Sequence, residues 1–158
     1  MKIGKKRIGH DFPTYFIADI AANHDGNLNK AIDLINLAAE SGADVAKFQH
    51  FKAPKIVSDY GFKELNKLNS HQSKWKKSVY ETYQDASVPD EWTEILINEC
   101  IKAKIEFFSS PYDFESVDLL NKYNVKAHKI GSGDITWIEM IDYILKSQKP
   151  IFIATGAS

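Results

Sequence analysis

From Tyr15 onward, short apolar runs alternate with segments of helical period, and no other feature limits the possible folds as tightly. That alternation belongs to successive βα units, whose parallel strands need helices packed on the sheet. The first strand runs from Tyr15 to Ile20. After Asp25-Gly26-Asn27, apolar Leu28, Ala31, Ile32, Ile35, Ala38 and Ala39 recur at helical spacing, with Gly42 placed as a C-terminal stop. A second strand covers Asp44 to Gln49. Ser87-Val88-Pro89-Asp90 opens another helix, with Trp92, Ile95, Leu96, Cys100 and Ala103 on one face.

The cycle continues with a strand from Ile105 to Ser109, a helix through Phe114, Val117 and Leu120, and a strand from Lys126 to Ile130. Thr136-Trp137-Ile138-Glu139 has the spacing of a capping box, and Trp137, Met140, Ile141, Ile144 and Leu145 continue it as an amphipathic helix. Pro150 to Thr155 is a fifth strand. The expectation is therefore an α/β chain of five parallel strands and four intervening helices, part of a (β/α)8 TIM barrel.

Two stretches lie outside the cycle. Ile3-Gly4 and Ile8-Gly9 flank Lys5-Lys6-Arg7 and suggest a small hairpin or arm over residues 1–14, ahead of a main unit over 15–158. Residues 52–88 are far longer than a usual βα loop, which favours a functional lid or an inserted helix, and Trp75, Val79 and Tyr83 stand four apart within them. A complete barrel needs about 250 residues, and the last strand stops where a βα loop should begin. A fragment cut after the fifth strand, two copies completing each other and an open sheet all satisfy this pattern.

Composition narrows the function. Twenty Lys and Arg against 21 Asp and Glu leave a net charge of -1, so no global field recruits nucleic acid or an anionic membrane, and any anion must be held locally. A single cysteine, Cys100, excludes an internal disulfide framework and a cysteine-based metal site within one chain. The basic start is followed by no signal-peptide core, and no apolar run approaches a membrane span. A cytoplasmic protein is expected.

Chemistry is sought at the C-terminal ends of the strands, where βα folds place their sites. Alternation along a strand sets Val45, Lys47 and Gln49 on one face and Ala46 and Phe48 on the other. It also aligns Asp19 with Ile17 and Tyr15, and Lys129 with Ala127. Charges embedded in apolar strands must be paired or bound to a ligand, so Asp19, Lys47 and Lys129 form a candidate anion and proton-transfer site. Simpler readings compete: Asp19 bridging one lysine, and Asn23-His24-Asp25-Gly26 as a turn with a helix cap. Gly131-Ser132-Gly133-Asp134 offers N–H groups and a hydroxyl to a phosphate. His10, His50, His71 and His128 are scattered without metal-ligand spacing, and no metal site is assigned within the chain.

Five segments occur together in order: Ile17-Ala18-Asp19-Ile20-Ala21-Ala22-Asn23-His24-Asp25-Gly26, Gly42-Ala43-Asp44-Val45-Ala46-Lys47-Phe48-Gln49, Phe108-Ser109-Ser110-Pro111-Tyr112, Lys129-Ile130-Gly131-Ser132-Gly133-Asp134 and Ala154-Thr155-Gly156. With them the chain resembles the N-terminal half of the barrel domain of the N-acetylneuraminate (sialic acid) synthase family. The resemblance implies condensation of phosphoenolpyruvate with an aldose such as N-acetylmannosamine, giving a nine-carbon 2-keto acid and phosphate. By motif match, Lys47 and Lys129 would neutralise phosphoenolpyruvate, and Gln49, Ser110 and Ser132 would donate hydrogen bonds to it. Asp19 and Asp134 would be the carboxylates near the reacting carbons and the water.

The resemblance also implies a divalent metal, Mn or Mg, that polarises the aldehyde. Its histidine ligands and a C-terminal antifreeze-like domain would follow Ser158, and a homo-oligomer is expected. The family pattern has Glu where Asp19 and Asp134 stand, and commonly Ser at Ala154. Two other classes stay open: a Schiff-base aldolase using Lys47 or Lys129, and a non-catalytic half-barrel assembly module that pairs through its sheet edges.

Overall fold

The computed structural model describes residues 1–65 and 75–156. Five parallel strands, β3 (Ile17–Ala21), β4 (Val45–His50), β5 (Glu106–Pro111), β6 (His128–Ile130) and β7 (Ile151–Ile153), lie side by side in chain order. Helices α1 (Leu28–Glu40), α5 (Trp92–Lys102), α6 (Phe114–Lys122) and α7 (Ile138–Leu145) connect them. A two-stranded antiparallel hairpin, β1 (Lys2–Ile3) and β2 (Lys6–Arg7), precedes the sheet. Both the βα architecture and the hairpin match the expectation.

Strand alternation builds two cores on the two faces of the sheet. On the outer face, Ala46, Phe48 and Phe107 meet Ala31 and Ile35 of α1, Leu96 and Cys100 of α5, and Leu120 of α6. Val117, Ile130, Met140 and Ile144 continue this layer under α6 and α7. On the inner face, Val45, Phe108 and Ala127 pack with Tyr15, Ile17 and Phe152. The hairpin inserts the buried Ile3 among them. An ion pair from Lys6 to Asp44, just before β4, helps hold the hairpin at the N-terminal end of the strands. The opposite, C-terminal end of the inner face is left to polar side chains.

The described part of residues 52–88 holds helices: α2 (Ala53–Ile56), α3 (Asp59–Leu65) and α4 (Val79–Ala86). Helix α4 starts at Ser78, whose side chain accepts from Glu81 N–H while the Glu81 carboxylate accepts from Ser78 N–H. Trp75, expected on this helix with Val79 and Tyr83, lies ahead of its cap. The end of α4 folds over the β3–α1 turn so closely that a Cβ on Gly26 would stand 2.8 Å from the Asp85 carbonyl oxygen.

Three expectations are corrected. The Thr136/Glu139 capping box does not form: α7 begins after Trp137, with no side-chain cap, because a 3-10 turn over Ser132–Asp134 delivers the chain and the Asp134 carbonyl takes the Trp137 N–H. Ile95 is 41% exposed, since the buried stripe of α5 runs through Thr93, Leu96 and Cys100 instead. Leu145 is likewise exposed, and α7 buries Met140 and Ile144. Strand ends move by at most two residues, so Tyr15, Asp44, Ile105, Lys126 and Pro150 lie just outside the ladder. His71 lies outside the described residues. Among the described residues no helix is long and apolar enough to cross a membrane.

Candidate active site

Parallel register brings the inner-face polar residues to one end. Asp19 is paired with Lys47 across β3 and β4, and Gln49 with Ser110 across β4 and β5. A register shift between Asp19 and Ala21 interrupts the ladder just beyond Asp19, and Ala21 takes a φ of 50°, a left-handed backbone that costs a residue with a Cβ. Bulges of this kind re-aim a side chain at the end of a strand.

Lys47 Nζ stands 2.8 Å from Asp19 Oδ1, and the competing reading of Asp19 as a bridge to one lysine is the geometry seen. Lys129 donates from Nζ to the Ile130 carbonyl at 2.7 Å. Burial, and next the charge of Lys47, hold its pKa below the ordinary lysine value, against the pull of Asp19 and Asp134. Two ammonium groups that disfavour each other on a half-buried face make room for an anion, which relieves the repulsion. Burial lifts the Asp134 carboxyl above its usual range, with Lys129 acting the other way. Ser110 is buried beside Gln49, and the 3-10 turn carries Ser132 and Asp134 directly off the end of β6.

The Asn23-His24-Asp25-Gly26 segment is a turn and cap, as its simpler reading has it. Asn23 donates to the Ile20 carbonyl, His24 Nδ1 accepts from Gly26 N–H, and Asn27 caps α1. His50 and His128 face the outer layer. His50 bonds Ser109 at 2.7 Å and Thr93 at 2.9 Å, which ties β4, β5 and α5 together behind the site.

Tyr112 was not singled out from the sequence, although the signal was available: Phe108, Ser110 and Tyr112 alternate on one face. Its hydroxyl accepts from Gln49 Nε2 at 3.1 Å. Beside it opens a cavity of about 380 Å³, walled in part by Gln49, Phe51, Tyr83, Tyr112, Asp134 and Trp137. Phe51 fixes this wall, with ring centroids 5.6 Å from Tyr83 and 5.9 Å from Tyr112. Lys52 pairs with Asp90 and Glu115, and Lys55 with Glu115 at 2.7 Å, anchoring the residues just after β4 to the turn ahead of α5 and to α6.

Among the described residues no three His, Cys, Asp or Glu side chains converge as metal ligands. These residues alone do not fit the divalent metal that the resemblance implies.

The NeuB family pattern matches residues 34–158. The chain is 39% identical over 143 residues to the N,N'-diacetyllegionaminic acid synthase of Campylobacter jejuni, covering 90% of this chain and 42% of that protein. A crystal structure of the spore coat polysaccharide biosynthesis protein SpsE from Bacillus subtilis superposes with a TM-score of 0.75 at 32% identity, covering 98% of this chain and 39% of that one. An N-acetylneuraminic acid synthetase from Leptospira borgpetersenii shares the fold with a TM-score of 0.82 at 23% identity, over 100% of this chain and 50% of that one. The chain spans less than half the length of the curated relatives it matches.

Proposed function

The chain belongs to the NeuB family, and from that premise we propose that it carries the phosphoenolpyruvate half of a synthase site joining phosphoenolpyruvate to an amino-sugar aldose. The product is a nine-carbon 2-keto sugar acid of the sialic acid type. The observation that carries this reading is the pair of strand-end lysines, Lys47 and Lys129, sharing the inner face with Asp19 and Asp134. The remaining strands, the divalent metal and its ligands would come from residues beyond these, and a homo-oligomer is part of the proposal.

The chemistry is positioning plus charge stabilisation. Lys47 and Lys129 neutralise the phosphate and carboxylate, and Gln49, Ser110 and Ser132 fix their orientation. Carbon 3 bonds to the aldehyde carbon, whose oxygen takes up a proton. Water then bonds to the electron-poor carbon 2 and gives a proton to a nearby carboxylate, Asp19 or Asp134. The bond from carbon 2 to the phosphate oxygen breaks as the new hydroxyl gives its remaining proton to the departing phosphate, leaving the ketone.

The test is phosphate release by the polypeptide that carries these residues, with divalent metal present, as a function of both substrates. Release that requires phosphoenolpyruvate and an aldose together supports the proposal, and its absence across an aldose panel overturns it. The lowered pKa of Lys129 favours a second reading, a Schiff-base aldolase, because a desolvated lysine is the usual imine former. Borohydride trapping with a keto acid would leave a covalent adduct on Lys129 only if that reading is right.

A further inference from the structure

Tyr112 has no part in the chemistry above, yet it lines the cavity at the site. Gln49 Nε2 donates to its hydroxyl at 3.1 Å, which occupies a lone pair, and no described residue accepts the phenol's own proton. A Cβ built on Gly131 would stand 3.0 Å from Asp134 Oδ2 and 3.5 Å from the Tyr112 hydroxyl. The bare Gly131 backbone therefore leaves one shared space in front of a neutral donor and a carboxylate acceptor. That space opens into the cavity of about 380 Å³, too large for one water and walled by Phe51, Tyr83 and Trp137. Burial, then the Asp134 charge, push the phenol up to about 12, so it keeps its proton at any working pH.

We infer that Tyr112 and Asp134 together grip one hydroxyl of the acceptor aldose, the phenol donating to that oxygen and the carboxylate accepting its proton. The aromatic walls then face the C–H surface of the sugar. Tyr112 is in this way a specificity-determining residue, and the inference rests on the synthase reading. No covalent bond forms or breaks at Tyr112.

The experiment is steady-state kinetics of Tyr112→Phe in the active enzyme, with a panel of monodeoxy aldoses. A neutral hydrogen bond contributes about 0.5–1.5 kcal/mol. KM for the aldose should therefore rise by about two- to tenfold, with KM for phosphoenolpyruvate unchanged. One monodeoxy aldose should cost the native enzyme more than it costs Tyr112→Phe, by about the factor that the substitution itself costs, the Asp134 share being lost in both, and a fold defect would not reproduce this. An active enzyme in which Tyr112→Phe leaves KM for the aldose unchanged, or loses every monodeoxy aldose equally, overturns the inference alone. Absence of phosphoenolpyruvate-dependent phosphate release with any aldose overturns the synthase reading instead.

Discussion

Lys47 and Asp19 form a 2.8 Å ion pair across β3 and β4 in which the lysine side chain is 9% exposed and the aspartate 61%. The two ends of the bond therefore differ in what their loss would do. Removing Asp19 leaves a nearly buried ammonium without its counter-charge, whereas removing Lys47 leaves a carboxylate that water can solvate.

Lys47→Met and Lys129→Met should each raise KM for phosphoenolpyruvate and lower turnover. Charge-assisted hydrogen bonds contribute about 1.5–3 kcal/mol, or roughly 10- to 150-fold. Initial rates with the aldose saturating would show the effect. Unchanged parameters in both variants would remove the lysines from the site.

Stability should fall as the solution is made mildly acid. Burial lowers His50 and His128 to about 4 from 6.5. Below about pH 6.5 the unfolded chain binds protons that the folded chain refuses until about pH 4. The contribution is thus complete above that window and drains through it, at up to about 1.4 kcal/mol per pH unit for each histidine. Urea midpoints at pH 7 and pH 5 would measure it, and equal midpoints would refute it.

What was legible in the sequence follows from strand alternation. The period of two that hides Ala46 and Phe48 behind the sheet also turns Asp19, Lys47, Gln49 and Lys129 to the other face, and register then aligns them. The walls of the cavity were harder to read, because Phe51, Tyr83 and Trp137 come from three separated segments that only packing brings together. Capping signals divide on context. Ser78 and Glu81 cap α4, whereas Thr136 and Glu139 have the same spacing but follow a 3-10 turn that already satisfies the backbone.

Among the described residues strands β3 and β7 each pair with one neighbour, and Phe16 just before β3 and Ile153 on β7 are 60% and 46% exposed. Unpaired strand edges beside apolar side chains are templates for association. The 158-residue chain should therefore run larger than its 17.9 kDa in size-exclusion chromatography with light scattering. A well-folded monomer at high concentration would contradict this.

The resemblance to the sialic acid synthases implies Glu where Asp19 and Asp134 stand. A carboxylate one methylene shorter serves a different oxygen position, because proton transfer needs a heavy-atom distance of roughly 2.6–3.2 Å or one intervening water. Asp19 is drawn onto Lys47, and Asp134 lies near Tyr112 beside Gly131, so the longer side chain at either position would reach into space that the proposed reaction gives to a substrate group. The enzyme should prefer an aldose other than N-acetylmannosamine, a related or deoxygenated one. Asp19→Glu and Asp134→Glu together should move the ratio of kcat/KM values toward N-acetylmannosamine by about tenfold, equal to about 1.4 kcal/mol. Phosphate release across an acceptor panel decides the matter: N-acetylmannosamine as the best substrate of the unmutated enzyme would show that backbone adjustments had already restored the reach of the shorter side chains.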